Sequence, residues 1–313
     1  MIAQETQEPG WGRDFLRVSD RAGPQLVALL ARARELRETF LTGQSHRSLA
    51  GRRIALVWDE RGFRTRVAFE LGISLMGGTG IEVPGPLGEA EGAVDVAGYL
   101  DRWFDAIVSR TPRFDDLTAL AEGAGIPVVN ARTRHNHPCE ILGDLAYINA
   151  TRTTLEDLHV VFIGETSNLC RSWCEAASVL PIRLTQVCPP GHEVDLGWFA
   201  ALSPSPAGTV ESTHALDGLE GADVIYTDRW PSSTDGEERR VIFAEFSPLQ
   251  VTADVLERVK DDALFMPCPP VMRGQEVSDE AMTSPKCRVP EAKEWLLHAQ
   301  SALLEEILRG ELR

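Results

Sequence analysis

The sequence contains no run of 18 apolar residues, no basic segment leading into an apolar stretch near its start, and no low-complexity tract. These absences argue against a membrane span, a secretory leader and a disordered chain, so a cytoplasmic protein is expected. Positive charge is also short: 31 Lys and Arg stand against 47 Asp and Glu, a formal net charge of −16. Nucleic acids and anionic membranes reward clustered Lys and Arg through counterion release, so neither is expected as a partner. An anionic ligand would need a local basic pocket.

Cysteine is thinly spread. Cys139, Cys170, Cys174, Cys188, Cys268 and Cys287 lack the dense spacing of a disulfide framework, and reduced thiols are expected. Cys170 and Cys174 share a helix face, and His135, Asn136, His137, Pro138, Cys139 has the look of a ligand cluster. No second Cys or His pair at matching spacing completes a zinc site, so no metal and no cofactor are expected. No G-x-G-x-x-G follows a predicted strand, which removes the dinucleotide fingerprint.

What is present is a two-domain pattern. A chain of 313 residues with 43% apolar and 25% charged content suits two globular units. Residues 23–41 form an amphipathic helix, followed by a strand at 51–58 and a helix at 64–76. Strand 105–110, helix 114–125, strand 126–132 and helix 137–152 continue the alternation. A second series runs through strand 158–165, helix 168–180, strands 182–188 and 223–228, and helix 247–260. The expected fold class is α/β, two tandem doubly wound parallel sheets, with the last helix at 290–308 packing back on the first. The Gly- and Pro-rich stretch 77–92 reads as a long loop, and the charge run 235–240 as a solvated one.

In such sheets ligands bind beyond the carboxyl ends of strands, where helix N-termini converge. The loop from Asp59 to Arg66 occupies one such end: Gly62 permits close approach, and Arg64 and Thr65 add a charge and a hydroxyl. Alone, R-T-R reads as a helix start with arginines in water. Arg110 at another strand end and His137-Pro138 opening a helix bring further donors from consecutive junctions, which favours an anion or oxyanion site.

These residues resemble the aspartate/ornithine carbamoyltransferase family. Gly62-Phe63-Arg64-Thr65-Arg66 matches its S-T-R-T-R phosphate motif, and Phe69-Glu70 its continuation. His137-Pro138-Cys139-Glu140-Ile141-Leu142 with Asp144-Leu145 matches H-P-x-Q-x-L-x-D-L, and Asp95 and Arg110 are spaced as in the ornithine branch. Further on, Gly164-Glu165 with Asn168 resembles G-D-x-x-N, and residues 223–230 resemble D-V-I-Y-T-D-x-W. Met266-Pro267-Cys268-Pro269-Pro270 stands at M-H-C-L-P, Arg273-Gly274 with Glu276 is similar to the aspartate branch, and Pro290-Glu291-Ala292 opens the last helix.

The resemblance implies a transcarbamylase fold. Residues 1–150 plus 291–313 would bind carbamoyl phosphate, residues 151–290 would bind an amine acceptor, and a homotrimer would share the site through the 77–92 loop. It implies Arg64, Arg110, His137 and Cys268 as the reacting centre. Gly62, Phe63, Thr65, Glu140, Asn168, Asp228, Ser232, Pro269 and Arg273 would bind the substrates.

The departures matter as much. Gly62-Phe63 replaces a Ser-Thr pair, Ala90 stands at the loop lysine, and Glu140 replaces Gln, which requires either a raised pKa or a cationic acceptor. The acceptor signature D-x-x-x-S-M-G survives as Asp228 and Ser232, with Ser233 and Thr234 after them; Pro267 replaces His, and Trp295 replaces the arginine of E-A-E-N-R. An enzyme for free ornithine would not lose these together. The expectation is therefore an N-carbamoyltransferase for a different, modified or larger amine, with a conventional ornithine enzyme and a catalytically silent binding protein as alternatives.

Overall fold

The computed structural model describes residues 12–59, 62–85, 91–203 and 205–309. Its first sheet contains β1 (Arg53–Trp58), β2 (Thr79–Pro84), β3 (Ala106–Arg110) and β4 (Val128–Arg132), all parallel, in the order β2-β1-β3-β4. The second contains β5 (Leu158–Ile163), β6 (Ile182–Val187), β7 (Thr209–Thr213), β8 (Val224–Thr227) and β9 (Leu264–Pro267), also parallel, in the order β7-β6-β5-β8-β9. Every residue of β3, β5, β8 and β9 is buried, because helices cover both faces; this is why these strands are mostly apolar rather than alternating.

Around the first sheet lie α1 (Gly23–Leu41), α2 (Phe63–Leu75), α3 (Ala93–Trp103), α4 (Phe114–Gly123) and α5 (Pro138–Arg152). Around the second lie α6 (Asn168–Val179), α7 (Leu196–Leu202), α8 (Gly236–Phe246), α9 (Ala253–Glu257) and α10 (Asp279–Thr283). The last helix, α11 (Val289–Ile307), leaves the second sheet and packs on α1, α2 and α5, as expected. Glycine permits its approach: a Cβ on Gly143 of α5 would stand 2.9 Å from Leu296 Cδ2 and 3.2 Å from Leu296 Cα. One apolar cluster continues from α1 and α5 through Trp173 of α6 to β5 and β8, joining the two sheets.

Three expectations need correction. Residues 79–84, read as loop, form the edge strand β2, almost wholly exposed; it pairs on one side with β1 and only Val83 is partly buried, so its apolar pattern is too short to read. The charge run 235–240 opens α8, capped by the Asp235 side chain accepting from the Glu237 and Glu238 N–H groups. The helix expected over 247–260 is a short 3₁₀ turn, Ser247–Leu249, followed by α9, because Val251 leaves the helical path to pair with Val277. Ala90, at the expected lysine position, lies outside the described residues. No helix among the described residues is long and apolar enough to cross a membrane.

Candidate active site

Both sheets reverse their winding direction at one point, between β1 and β3 in the first and between β5 and β8 in the second. Loops leaving the strands on either side of such a point diverge and open a crevice. The residues there are Gly62 after β1, Arg110 ending β3, Asn168 after β5 and Asp228 after β8. The two crevices merge into one cleft of about 1230 Å³. From the first lobe it is lined by Gly62, Phe63, Arg64, Thr65, Arg110, Arg132, His137 and Glu140, and from the second by Asn168, Asp228, Arg229, Cys268 and Pro269. Despite the net charge of −16, this is a local basic pocket.

Gly62 and Arg110 are fitted to each other. The Gly62 φ of 170° is extended backbone open to any residue, so conformation does not demand glycine. Space favours it in this arrangement: a Cβ there would lie 2.4 Å from the Arg110 guanidinium carbon and would displace that flexible side-chain end. The missing serine of the phosphate motif therefore leaves room that the guanidinium occupies. Arg64, in the first turn of α2, reaches across the cleft to donate to the Pro269 carbonyl after β9. Asn168 crosses in the other direction, its Nδ2 donating to the Thr133 carbonyl at 2.8 Å.

His137 precedes the first turn of α5, its backbone N–H donating to Ser172 Oγ at 2.8 Å. Burial, reinforced by the Arg110, Arg132 and Lys293 charges, lowers its pKa to about 3, so the imidazole is neutral at pH 7 and carries one N–H donor. The loop before it is held by polar contacts. Asn136 Nδ2 donates to Glu175 Oε1 at 2.9 Å and Asn130 Nδ2 to Asn136 Oδ1 at 2.7 Å, while His135 packs between the Phe114 and Trp198 rings. His135 and Cys139 thus serve packing and loop geometry while His137 faces the cleft, and among the described residues no His, Cys, Asp and Glu are grouped to hold a metal ion.

Glu140 is the largest surprise. Burial would raise its carboxyl, but Lys293 and Arg64 outweigh that and hold it at about 2. Lys293 Nζ lies 2.8 Å from Glu140 Oε1 and 2.7 Å from Asp144 Oδ1. The sequence offered a raised pKa or a cationic acceptor; the raised pKa is wrong, and the cation is built into the protein. Burial and the Glu140 carboxylate keep Cys268 a protonated thiol, its Sγ 3.7 Å from Glu140 Oε1. Enclosure by the cleft walls raises the Asp228 carboxyl, against an opposing bond from the Arg229 N–H at 2.8 Å.

Comparison with known proteins fits this geometry. Residues 13–150 match the model described as "Aspartate/ornithine carbamoyltransferase, carbamoyl-P binding domain", and residues 156–307 match the "Asp/Orn binding domain" of the same family. The chain belongs to the aspartate/ornithine carbamoyltransferase family. It is a carbamoyltransferase. An ornithine carbamoyltransferase of Chlorobaculum tepidum is 33% identical over 96% of this chain and 91% of its own. One from Halorhodospira halophila is 35% identical over 95% and 99%. The solved ornithine carbamoyltransferase of Pyrococcus furiosus superposes with a TM-score of 0.88 at 32% identity, covering 96% of this chain and 98% of that one.

Within this carbamoyltransferase, not every residue named from the sequence reaches the cleft. Ser232 is exposed outside the lining, and Arg273 pairs with Asp279 at 2.9 Å on the surface, where a carboxylate six positions along gives it a nearer partner. Asp95 sits exposed in the first turn of α3. Trp295 is buried beneath the Arg37 guanidinium, 5.4 Å from its ring centre, and serves the contact between α1 and α11. Sequence reading missed Arg132, Arg229 and Lys293. Arg132 ends a strand, and that position was a usable signal; for Lys293 the signal was its rarity, since it is one of only three lysines in the chain.

Proposed function

We propose that the chain moves the carbamoyl group of carbamoyl phosphate to the amine of an amino-acid-like acceptor other than free ornithine, modified or larger, giving a ureido product and phosphate. The presence of Arg64, Arg110 and neutral His137 together in the cleft lining carries the donor half of this reading. Arg64, Thr65 and the N–H groups opening α2 hold the phosphate; Arg110 and His137 donate to the carbonyl oxygen as attack places charge on it. The nitrogen–carbon bond forms, the bond from carbon to the phosphate oxygen breaks, and the departing phosphate takes the amine proton. Cys268 acts as a thiol at the acceptor end, since its burial disfavours the thiolate.

Two observations support an unusual acceptor. Ser232 stands outside the lining, and Pro267 and Trp295 occupy positions where the family motifs have His and Arg. The cleft also continues past Arg132, Asn168 and Asp228 into a second hollow of about 660 Å³ bordered by Arg134, His135 and Arg171, space for an acceptor with a longer body. Free ornithine is the second reading, favoured by Asn168, Asp228 and Cys268 in the lining and by relatives named ornithine carbamoyltransferase.

The donor unit is residues 1–150 with 291–313 and the acceptor unit 151–290, a division supported by the seating of α11 on α1, α2 and α5. A homotrimer is supported by Phe63, Val67, Leu71 and Leu75, exposed apolar residues four apart along α2, beside exposed Ile81 on the open edge strand. Phe63 belongs to both the stripe and the cleft, which supports a site shared between subunits.

Isothermal titration with carbamoyl phosphate, with inorganic phosphate as control, tests the donor half. Saturable binding lost in Arg110→Ala is expected, and its absence from the wild type would favour the silent-protein alternative. An amine screen that includes ornithine tests the acceptor; citrulline as the fastest-formed product would overturn the unusual-acceptor reading.

A further inference from the structure

Behind the cleft wall lies a charged chain that the reaction as described does not use. Lys293, on α11, has a side chain only 8% exposed and holds Glu140 and Asp144, one turn apart on α5, through single Nζ contacts of 2.8 and 2.7 Å. Asp144 Oδ2 accepts from the Tyr226 hydroxyl at 2.8 Å, and that ring is fixed between Trp173 and Phe162 at centroid distances of 5.5 and 5.7 Å. The ammonium is therefore anchored from the second sheet and presented to the first.

Burying Lys293 for structure alone would require one carboxylate, and Asp144 supplies it. Glu140 is different, because it also lines the cleft: Oε1 faces Lys293, while Oε2 lies 3.4 Å from His137 Nε2. A carboxylate fixed by one oxygen presents the other as an acceptor only, complementary to an N–H donor and opposed to a carbonyl or phosphate oxygen. The two departures from the family motifs compensate. Glu140 replaces the Gln of H-P-x-Q, and Lys293 stands at the second Glu of E-A-E-N-R.

Resting on the carbamoyl phosphate reading above, we propose that Lys293 is a positioning residue: it holds Glu140 as an ionised, acceptor-only carboxylate that receives the carbamoyl NH2 and so sets which end of the carbamoyl group faces the acceptor. The groups facing Glu140 are His137 at the start of α5, Cys139 and Asp144 of α5, Lys293 of α11, Arg64 of α2, Tyr226 of β8, Cys268 after β9 and, farther off, Asp228 after β8. Of these, Lys293 alone touches the carboxylate with a permanent charge at hydrogen-bond distance.

The test is carbamoyl phosphate titration of the full chain between pH 6 and 8.5, with thermal melts to establish folding. In Lys293→Met, Glu140 and Asp144 both lose their counter-charge, and Glu140, the one that lines the cleft, is expected to titrate within this window. The affinity is expected to fall at least tenfold at pH 8 and to recover as pH drops, a slope the wild type lacks. Lys293→Met with Glu140→Gln removes the charge stranded in the cleft, leaving only Asp144 behind its wall, and is expected to regain most of the affinity and lose the slope, a rescue that loss of packing alone would not give. If Lys293→Met fails to fold, the double variant still decides: wild-type-like, pH-independent affinity supports the proposal, and affinity tenfold or more below wild type overturns it. Wild-type affinity and pH profile in a folded Lys293→Met also overturn it. A wild type that does not bind carbamoyl phosphate would refute the donor reading itself, before any variant is compared.

Discussion

At Gly62 an absent atom does the positioning. The Arg110 guanidinium sits where a Cβ would be, so Gly62→Ala must push it aside, although the extended backbone accepts alanine without strain. Carbamoyl phosphate affinity in Gly62→Ala is expected to fall about tenfold, a loss of roughly 1.4 kcal/mol, with the melting temperature little changed. Unaltered affinity by titration would show that Arg110 does not need this seat. Cys268 follows a similar logic at the other wall: a thiol held protonated by burial and a neighbouring carboxylate contributes shape and a weak donor, so Cys268→Ser is expected to retain donor binding while changing acceptor turnover.

Helices transmit this order. Glu175 of α6 is fully buried and accepts from the Asn136 side chain and from the Val18 N–H at 3.0 Å, tying the loop before His137 to the second lobe. Burial raises its carboxyl to about 8 from an ordinary 4.5. With the folded value above the unfolded one, its stabilising effect is full below about 4.5 and is lost as pH rises to about 8. His137, buried neutral, contributes with the opposite sign up to its ordinary 6.5, so the comparison is made by difference: the melting temperature of the wild type relative to Glu175→Gln should fall as pH rises across that window, and parallel curves would remove Glu175 from the account. The seat of α11 on α5 gives a second expectation. Gly143→Val drives two methyl groups toward Leu296 and should cost about 1–3 kcal/mol in denaturant unfolding.

Across the whole molecule, the acidic exterior and basic cleft divide two tasks: net charge favours solubility, and converging arginines collect an anion. The apolar stripe of α2 does not fit that exterior, since Phe63 is 68% exposed and Leu71 46%. Light scattering on the purified protein is expected to give about three times the chain mass of 34.4 kDa, and Leu71→Glu should shift it to one chain and weaken activity. A monomeric wild type would overturn the shared-site assembly.

The sequence by itself determined the two parallel sheets, the return of the last helix and most of the cleft residues. Continuous apolar strands alternating with amphipathic helices are local patterns, and Gly62, Arg110 and His137 sit at strand ends that those patterns define. It left β2, β7 and β9 unread: β2 and β7 are edge strands paired on one side that need no apolar face, and β9, though buried, is only four residues long and ends in proline. Only the tertiary structure decided that Glu140 is ionised, that Asp144 and Tyr226 stand behind its partner, and that Ser232 and Arg273 lie outside the cleft. The reason is physical: a side chain's charge state depends on which groups folding brings within 3 Å, and Lys293 reaches Glu140 from the far end of the chain, where neither spacing nor periodicity records the pairing.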